Sequence, residues 1–302
     1  MARSAPAGTR YRAGHRLDPQ SPVLRLWHKA KQLGTWDPRS LDFRRDAAHW
    51  QERTEREQDA TLRLLALFLG GEESVALDLV PLIWAVAREG RLEEEMFLAA
   101  FLWEEAKHVE AFHRFLDEVT GEPGDLGRYF TPSYQRLFGE ELPRAMGQLL
   151  ADPSPPAQAE ASVTYHMFVE GVLAETGYHA FFEALTRQGL FPGLREMITL
   201  VQRDESRHIA YGVHLLSRLV AEHGDPVWAA IERRMHELLP LAHGLIVESL
   251  SPYGDDIPYG LDLQTYLTIA QQQFERRYRR IERARRQTLA EIDQLALEGE
   301  EL

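Results

Sequence analysis

Two stretches of this chain, "LWEEAKHVEAF" at residues 102–112 and "RDESRHIAYG" at residues 203–212, each set a glutamate and a histidine three residues apart. On an α-helix each residue turns by about 100°, so neighbours three and four apart share a face. With Glu105 as origin, Phe101, Leu102, His108, Val109, Phe112, Phe115 and Leu116 lie within about 80° of it. Lys107, Glu110, Arg114, Asp117 and Glu118 project the other way. With Glu205 as origin, Val201, His208, Ile209, Gly212, Leu215 and Leu216 fill the same arc, and Arg203, Arg207 and His214 fall outside it. Each Glu–His pair therefore sits inside an apolar stripe, and the two patterns superpose at an offset of 100 residues. An isolated carboxylate in an apolar interior costs many kcal/mol and would stay protonated. Two such sites facing inward call for a cation. A third Glu-x-x-His, Glu110 with His113, turns its glutamate to the polar face and reads as surface.

The rest of the chain reads as helix between about residues 40 and 298. Leu, Ala, Glu, Arg and Gln dominate, apolar residues recur at three- and four-residue spacing, and no long alternating stretch suggests a sheet. The spacing predicts helices over 41–70 running on to about 88, 92–120, 133–150, 157–188, 192–221, 225–250 and 262–298. Breaks fall at "REGR", "GEPGD", "ADPSPPA", "RQGLFPG", "EHGDP" and "SPYGDDIPYG". Pro81 is expected to bend its helix. Residues 1–40 are mixed and are read as an N-terminal arm, loose or holding a short strand, ahead of one helical domain over 41–302. The charged segment from residue 274 onward is expected to be a solvated outer helix or a dimer contact.

Helix bundles that hold two metal ions take one Glu from each of two helices and a Glu-x-x-His from each of two others. Matched to that template, the chain needs a single glutamate upstream of each pair. In "LALFLGGEESVALDLVPLI", Glu72 lies in line with Leu65, Phe68, Leu79 and Ile83, while Glu73 points about 100° away. In "TYHMFVEGVLAETGYHAFF", Glu170 lies in line with Val163, Leu173, Ala174 and Phe181. They precede Glu105 and Glu205 by 33 and 35 residues, so the chain reads as two similar halves. Four carboxylates and two neutral imidazoles balance two divalent ions, and oxygen with imidazole suits iron or manganese. The expected fold is all-α, a ferritin-like four-helix bundle with additional helices and a dinuclear site inside.

Composition narrows the remaining choices. A formal charge of -13 argues against a nucleic-acid partner, since phosphate binding needs a basic face. The chain has no cysteine, which removes disulfides, thiolate metal sites and cysteine nucleophiles. Its most apolar runs, "LRLLALFLG" and "LDLVPLIWAVA", are broken by Arg63, Asp78 and Pro81 and fall short of the roughly 20 residues of a membrane span. The first residues lack the apolar stretch of a secretion signal. A cytoplasmic protein with no membrane span is the expectation.

With those residues in hand, the sequence resembles the ribonucleotide reductase small-subunit superfamily over roughly residues 45–250, most closely at "RDESRH". The resemblance implies that Asp204 hydrogen-bonds a metal-bound histidine, His108. Radical-bearing subunits of that superfamily usually carry Tyr four residues after the first ligand histidine, where this chain has Phe112, and an aromatic near the C-terminus, where nothing aromatic follows Tyr278. The closer resemblance is to the R2-like ligand-binding oxidases. Their first-ligand Glu, the Val three residues on, and the Tyr five residues before the third Glu match Glu72, Val75 and Tyr165 before Glu170.

That resemblance implies a Mn ion held by Glu72, Glu105 and His108 and an Fe ion held by Glu170, Glu205 and His208, with a di-iron pair as the alternative. It also implies reaction with O2, a two-electron C–H oxidation that joins Val75 to Tyr165 as an ether, and a long-chain fatty acid or similar lipid-like ligand. Homodimers are usual in the superfamily. Val75 follows Glu72 by one helical turn, so its place beside the metals is consistent with helix geometry. Tyr165 stands about 140° from Glu170 on an ideal helix, so the cross-link requires an irregular helix there. The apolar walls Phe68, Leu79, Phe101, Phe112, Leu173 and Phe181 would suit an oily ligand and equally any bundle core. The rival readings are a radical-generating reductase subunit and a non-enzymatic ferritin-like metal store.

Overall fold

The chain is described by a computed structural model that covers residues 16–121 and 124–298. In chain order the α-helices are α1 (Pro22–Leu33), α2 (Arg44–Gln51), α3 (Glu55–Asp78), α4 (Val80–Glu89), α5 (Leu92–Phe115), α6 (Pro132–Arg136), α7 (Leu142–Gly147), α8 (Pro155–Ser162), α9 (Glu175–Gln188), α10 (Pro192–His223), α11 (Asp225–Leu250), α12 (Leu263–Arg283) and α13 (Leu289–Glu298). A π-helical segment, Val163–Ala174, joins α8 to α9 without a break, and a shorter one, Leu137–Glu141, joins α6 to α7. Among the described residues there is no strand. The fold is all-α, as the periodicity predicts.

Capping chemistry explains where the predicted helices are cut. The run expected from residue 41 to 88 is three helices. A capping box starts α3: Thr54 Oγ1 accepts from the Glu57 amide at 3.3 Å while the Glu57 carboxylate accepts from the Thr54 amide at 2.8 Å. At Pro81 the chain does more than bend: α3 ends at Asp78 and α4 begins at Val80, with the proline in its first turn, where a missing N–H costs nothing. Gly90 and Gly189 adopt left-handed backbone (φ 74° and 66°) to close α4 and α9. The expected last helix is likewise divided, at Gln287 and Thr288, and Thr288 caps α13 through Glu291.

Four long segments form the bundle: α3, α5, the continuous α8–π–α9 helix and α10. α3 packs along α5, the π-helical segment packs along α10, and α10 touches α5. Phe97, Leu98, Phe101, Val163, Met167, Phe168, Leu215 and Leu216 are buried where these faces meet. At the other end, Leu65, Phe112, Phe115, Tyr178, Phe181, Ile198 and Val201 close a second apolar cluster. The remaining helices cover the bundle. α12 buries Tyr266, Ala270, Phe274, Arg277 and Ile281 against it, so the charged segment read as an outer helix is packed along one side.

The expected arm over residues 1–40 is, from Pro22 onward, helix and loop that belong to the bundle. α1 packs against α5 and buries Val23, Leu24 and Ala30, and the loop beyond it brings Trp36 to α10. No strand forms there. The earlier part of that reading, residues 1–15, lies outside the described residues.

Candidate metal centre

Glu72 comes from α3, Glu105 and His108 from α5, Glu170 from the π-helical segment, and Glu205 and His208 from α10. All six are buried, none more than 5% exposed. The bundle brings them into two overlapping groups. Glu72, Glu105, His108 and Glu205 can each offer one atom within 4.8 Å of the others, and so can Glu105, Glu170, Glu205 and His208. Glu105 and Glu205 belong to both groups, so each sits between the two positions. The resemblance implies three of the six for each metal, and the fold puts Glu105 and Glu205 within reach of both groups.

Both imidazoles turn the same nitrogen inward. His108 Nδ1 lies 3.3 Å from Glu72 and 3.4 Å from Glu205. His208 Nδ1 lies 3.2 Å from Glu105 and 3.3 Å from Glu205. The outward Nε2 atoms each meet another carboxylate. That of His108 is 3.3 Å from Asp204, as expected, and that of His208 is 2.9 Å from Glu104. A carboxylate on the far nitrogen fixes the tautomer and orientation of an imidazole that uses its near nitrogen for a metal. Phe101 stacks on the His208 ring at 3.5 Å between centroids and holds it flat.

The donor set fits a pair of cations. Glu72 Oε2, both oxygens of Glu105, both of Glu170 and Nδ1 of His108 are buried without a hydrogen-bond partner. Orphaned acceptors at that density are costly unless an ion satisfies them. In the protein alone, protons must take that place. Burial pushes Glu72 up to about 8 even against the neighbouring His108. Burial, reinforced by the charge of Glu205, raises Glu170 well above the carboxylate range. Both imidazoles are held well above their usual range: burial opposes this, but Glu72 around His108 and Glu205 around His208 outweigh it. Glu105, with the His208 ring at 3.2 Å and the His108 ring at 3.7 Å, is pulled down to about 2 by the two imidazoles despite its burial.

A second set of charges surrounds the first, and only part of it was legible in the sequence. Asp204 accepts from Trp36 Nε1 at 2.7 Å, from Lys107 Nζ at 2.7 Å and from Arg207 at 2.6 Å. Burial acts to raise the Asp204 carboxyl, but the His108 hydrogen bond and the Lys107 charge prevail and hold it low. Arg207 also donates to Glu104 at 2.5 Å, so one guanidinium bridges the carboxylates that orient the two imidazoles. Lys107 and Arg207, assigned by the helical wheel to the polar side, are only 5% and 4% exposed. The wheel fails because α1 and its following loop cover that side, an event no local periodicity signals. By contrast, His113, read as surface together with Glu110, is exposed and pairs with the exposed Glu73 at 3.1 Å.

Val75 and Tyr165 are brought together. Tyr165 is fully buried and its hydroxyl donates to the Val75 carbonyl at 3.1 Å. The 140° separation on an ideal α-helix narrows because Val163–Ala174 is π-helical: its i→i+5 hydrogen bonds widen each turn and bring Tyr165 nearer the face of Glu170. His166, next along, is a core histidine. It meets Ser162 at 3.0 Å, packs edge-on to Phe101 and Tyr211, and burial lowers it to about 3.

An apolar cavity of about 150 Å³ reaches this cluster. Glu72, Glu170, Glu205 and Val75 stand at its inner end, and Phe68, Leu64, Leu173, Leu245 and Ile246 line its walls. Of the side chains anticipated as walls, Phe68 and Leu173 line it. Leu79, Phe101, Phe112 and Phe181 do not; they are buried in the cores on either side. No helix among the described residues is long and apolar enough to cross a membrane.

Residues 19–246 match the family described as ribonucleotide reductase, small chain. Among solved structures, the R2-like ligand-binding oxidase from Sulfolobus acidocaldarius is similar at 35% identity, over 91% of this chain and 95% of that one, with a TM-score of 0.84. An R2-like ligand-binding oxidase with aerobically reconstituted Mn/Fe cofactor is similar at 37% identity, over 86% of this chain and 92% of that one, with a TM-score of 0.83.

Proposed function

The chain belongs to the ribonucleotide reductase small-chain family and, within it, to the R2-like ligand-binding oxidases, and from that premise we propose that it is a dinuclear Mn/Fe oxidase acting with O2. The observation that carries this reading is the convergence of six buried donors into two groups that share Glu105 and Glu205. In this reading Glu72, Glu105 and His108 would hold Mn and Glu170, Glu205 and His208 would hold Fe, with Glu105 and Glu205 within reach of both groups. When bound, such a pair supplies a dioxygen-dependent two-electron oxidation of a C–H bond.

The protein's own part is holding and excluding. Asp204 and Glu104 fix the imidazoles with Nδ1 inward. The apolar cores above and below keep water from the centre. The π-helical turn sets the Tyr165 hydroxyl against Val75, which supports formation of an ether between the Val75 β-carbon and the Tyr165 oxygen. In that step Val75 loses its β-hydrogen, Tyr165 its hydroxyl proton, and two electrons pass to dioxygen. The apolar cavity, ending on carboxylates and Val75, supports a ligand with a long hydrocarbon body, a fatty acid by preference, whose head reaches the ions.

Mass spectrometry of protein loaded with Mn and Fe in air tests the reading. The expected result is a loss of two hydrogens, with the Val75 and Tyr165 tryptic peptides joined, and no such species in Tyr165→Phe. Unmodified peptides from fully metallated, aerobically treated protein would overturn it.

A further inference from the structure

α1, α10, α12 and α13 enclose a cleft of about 850 Å³, within the range of small-molecule sites. Its charge is opposite to that of the chain. The protein as a whole carries -13, yet nine of the cleft's lining residues are Lys or Arg and one, Glu275, is acidic. The cationic groups come mainly from two helices: Arg203 and Arg207 on α10, and Arg276, Arg277, Arg280 and Arg283 on α12.

Three features separate this cleft from an ordinary solvated basic face. First, among the described residues Arg276, Arg280 and Arg283 form no ion pair, while Arg279 takes Glu275 at 2.8 Å. Second, Arg207 and Arg277 form a buried floor, 4% and 7% exposed, and Nε of each has no hydrogen-bond partner. Third, the wall carries Leu26, Val213, Ile292 and Leu295 beside the guanidinium groups, so it offers apolar contact as well as charge. Like charges packed this closely repel one another. Burial and the charge of Arg283 hold the Arg280 guanidinium below its usual range, and an anion between them would relieve that cost.

We propose that this cleft binds a small organic phosphate, its phosphoryl oxygens on the guanidinium groups of α10 and α12 and its apolar body against α1 and α13. Arginine is the residue that takes phosphate oxygens bidentately, and here it outnumbers lysine eight to one. The concave shape favours a small molecule over the flat face of a macromolecule. The site is independent of the oxidase reading. Its floor nevertheless lies next to the metal centre, since Arg207 donates to both Asp204 and Glu104, which hold the two imidazoles.

Calorimetric titration of the full-length, metal-loaded protein near 0.15 M salt tests this, with AMP, inorganic phosphate and adenosine as probes. The expected result is saturable binding of one AMP per chain, weaker binding of inorganic phosphate, and adenosine at least tenfold weaker than AMP. The Arg276→Glu/Arg280→Glu double variant should weaken AMP at least tenfold, and Arg283→Glu alone should weaken it measurably. Arg136→Glu, an exposed control on α6 paired with Glu140, should leave it unchanged. The proposal is overturned if neither phosphate probe saturates, if adenosine binds as well as AMP, or if the control weakens binding as much as the cleft variants. It is overturned equally if AMP binding vanishes from metal-free protein, which would put the phosphate on the ions.

Discussion

At the level of single residues, the centre is an arrangement of groups that cannot all keep their usual protonation at once. Glu72 is pushed up to about 8 and Glu170 higher, and both imidazoles are held in the charged form. An ion can enter only as those protons leave. Metal affinity should therefore increase as pH rises from 6 through about 8, with protons released on loading. Competitive metal titration across that range checks this; an affinity that is flat with pH would contradict it. Glu104 offers a second residue-level test. It holds His208 through Nε2 at 2.9 Å, and loss of such a group typically lowers metal affinity about 10–100-fold. Glu104→Gln should show that loss in the same titration, whereas Glu110→Gln, on the exposed side of the same helix, should not. The six donors were legible from wheel angles and spacing because a buried carboxylate must sit in an apolar stripe. Glu104 was not, because its neighbours in sequence do not reveal that α10 will lie across from it.

At the level of elements, the decisive feature is the π-helical segment Val163–Ala174 and its close approach to α10. A Cβ added at Gly212 would lie 2.2 Å from the His166 Cβ and 2.5 Å from its Cγ, so the two helices touch backbone to side chain. Gly212→Ala should destabilise the fold by about 1–3 kcal/mol through overpacking, read as a lower denaturant midpoint with unchanged slope. A midpoint equal to the parent's would mean that the contact yields. The same segment is the irregular helix that the cross-link reading requires. A uniform 100° turn separates Tyr165 from Glu170, and the wider π turn brings them closer in angle. Helix limits followed the same logic: Thr54 and Thr288 carry side-chain caps that divide what periodicity joined.

For the whole molecule, the buried carboxylates make metal and fold interdependent. Ions that bind only the native state stabilise it by mass action, about 2.7 kcal/mol for each site at a free concentration one hundred times its Kd. Chelation should accordingly lower Tm, and re-addition of Mn and Fe should restore it. Calorimetric scans with and without chelator measure this, and superimposable transitions would argue that the acidic centre is satisfied by protons alone.

The sequence by itself determined the class of fold, the duplicated halves and the six inward donors as candidates, while the pairing of Val75 with Tyr165 came only from the family resemblance. Each of these depends on intervals of three, four or five residues along one helix or on one motif spacing. The tertiary structure alone decided that Glu105 and Glu205 face both ion positions and that Arg207 and Lys107 are buried. It also decided that Trp36 reaches Asp204 from the supposed arm, and that arginines of α10 and α12 meet in one cleft. Those facts depend on which helix lies against which, and on a switch from α to π winding, and neither is encoded in the periodicity of any one segment.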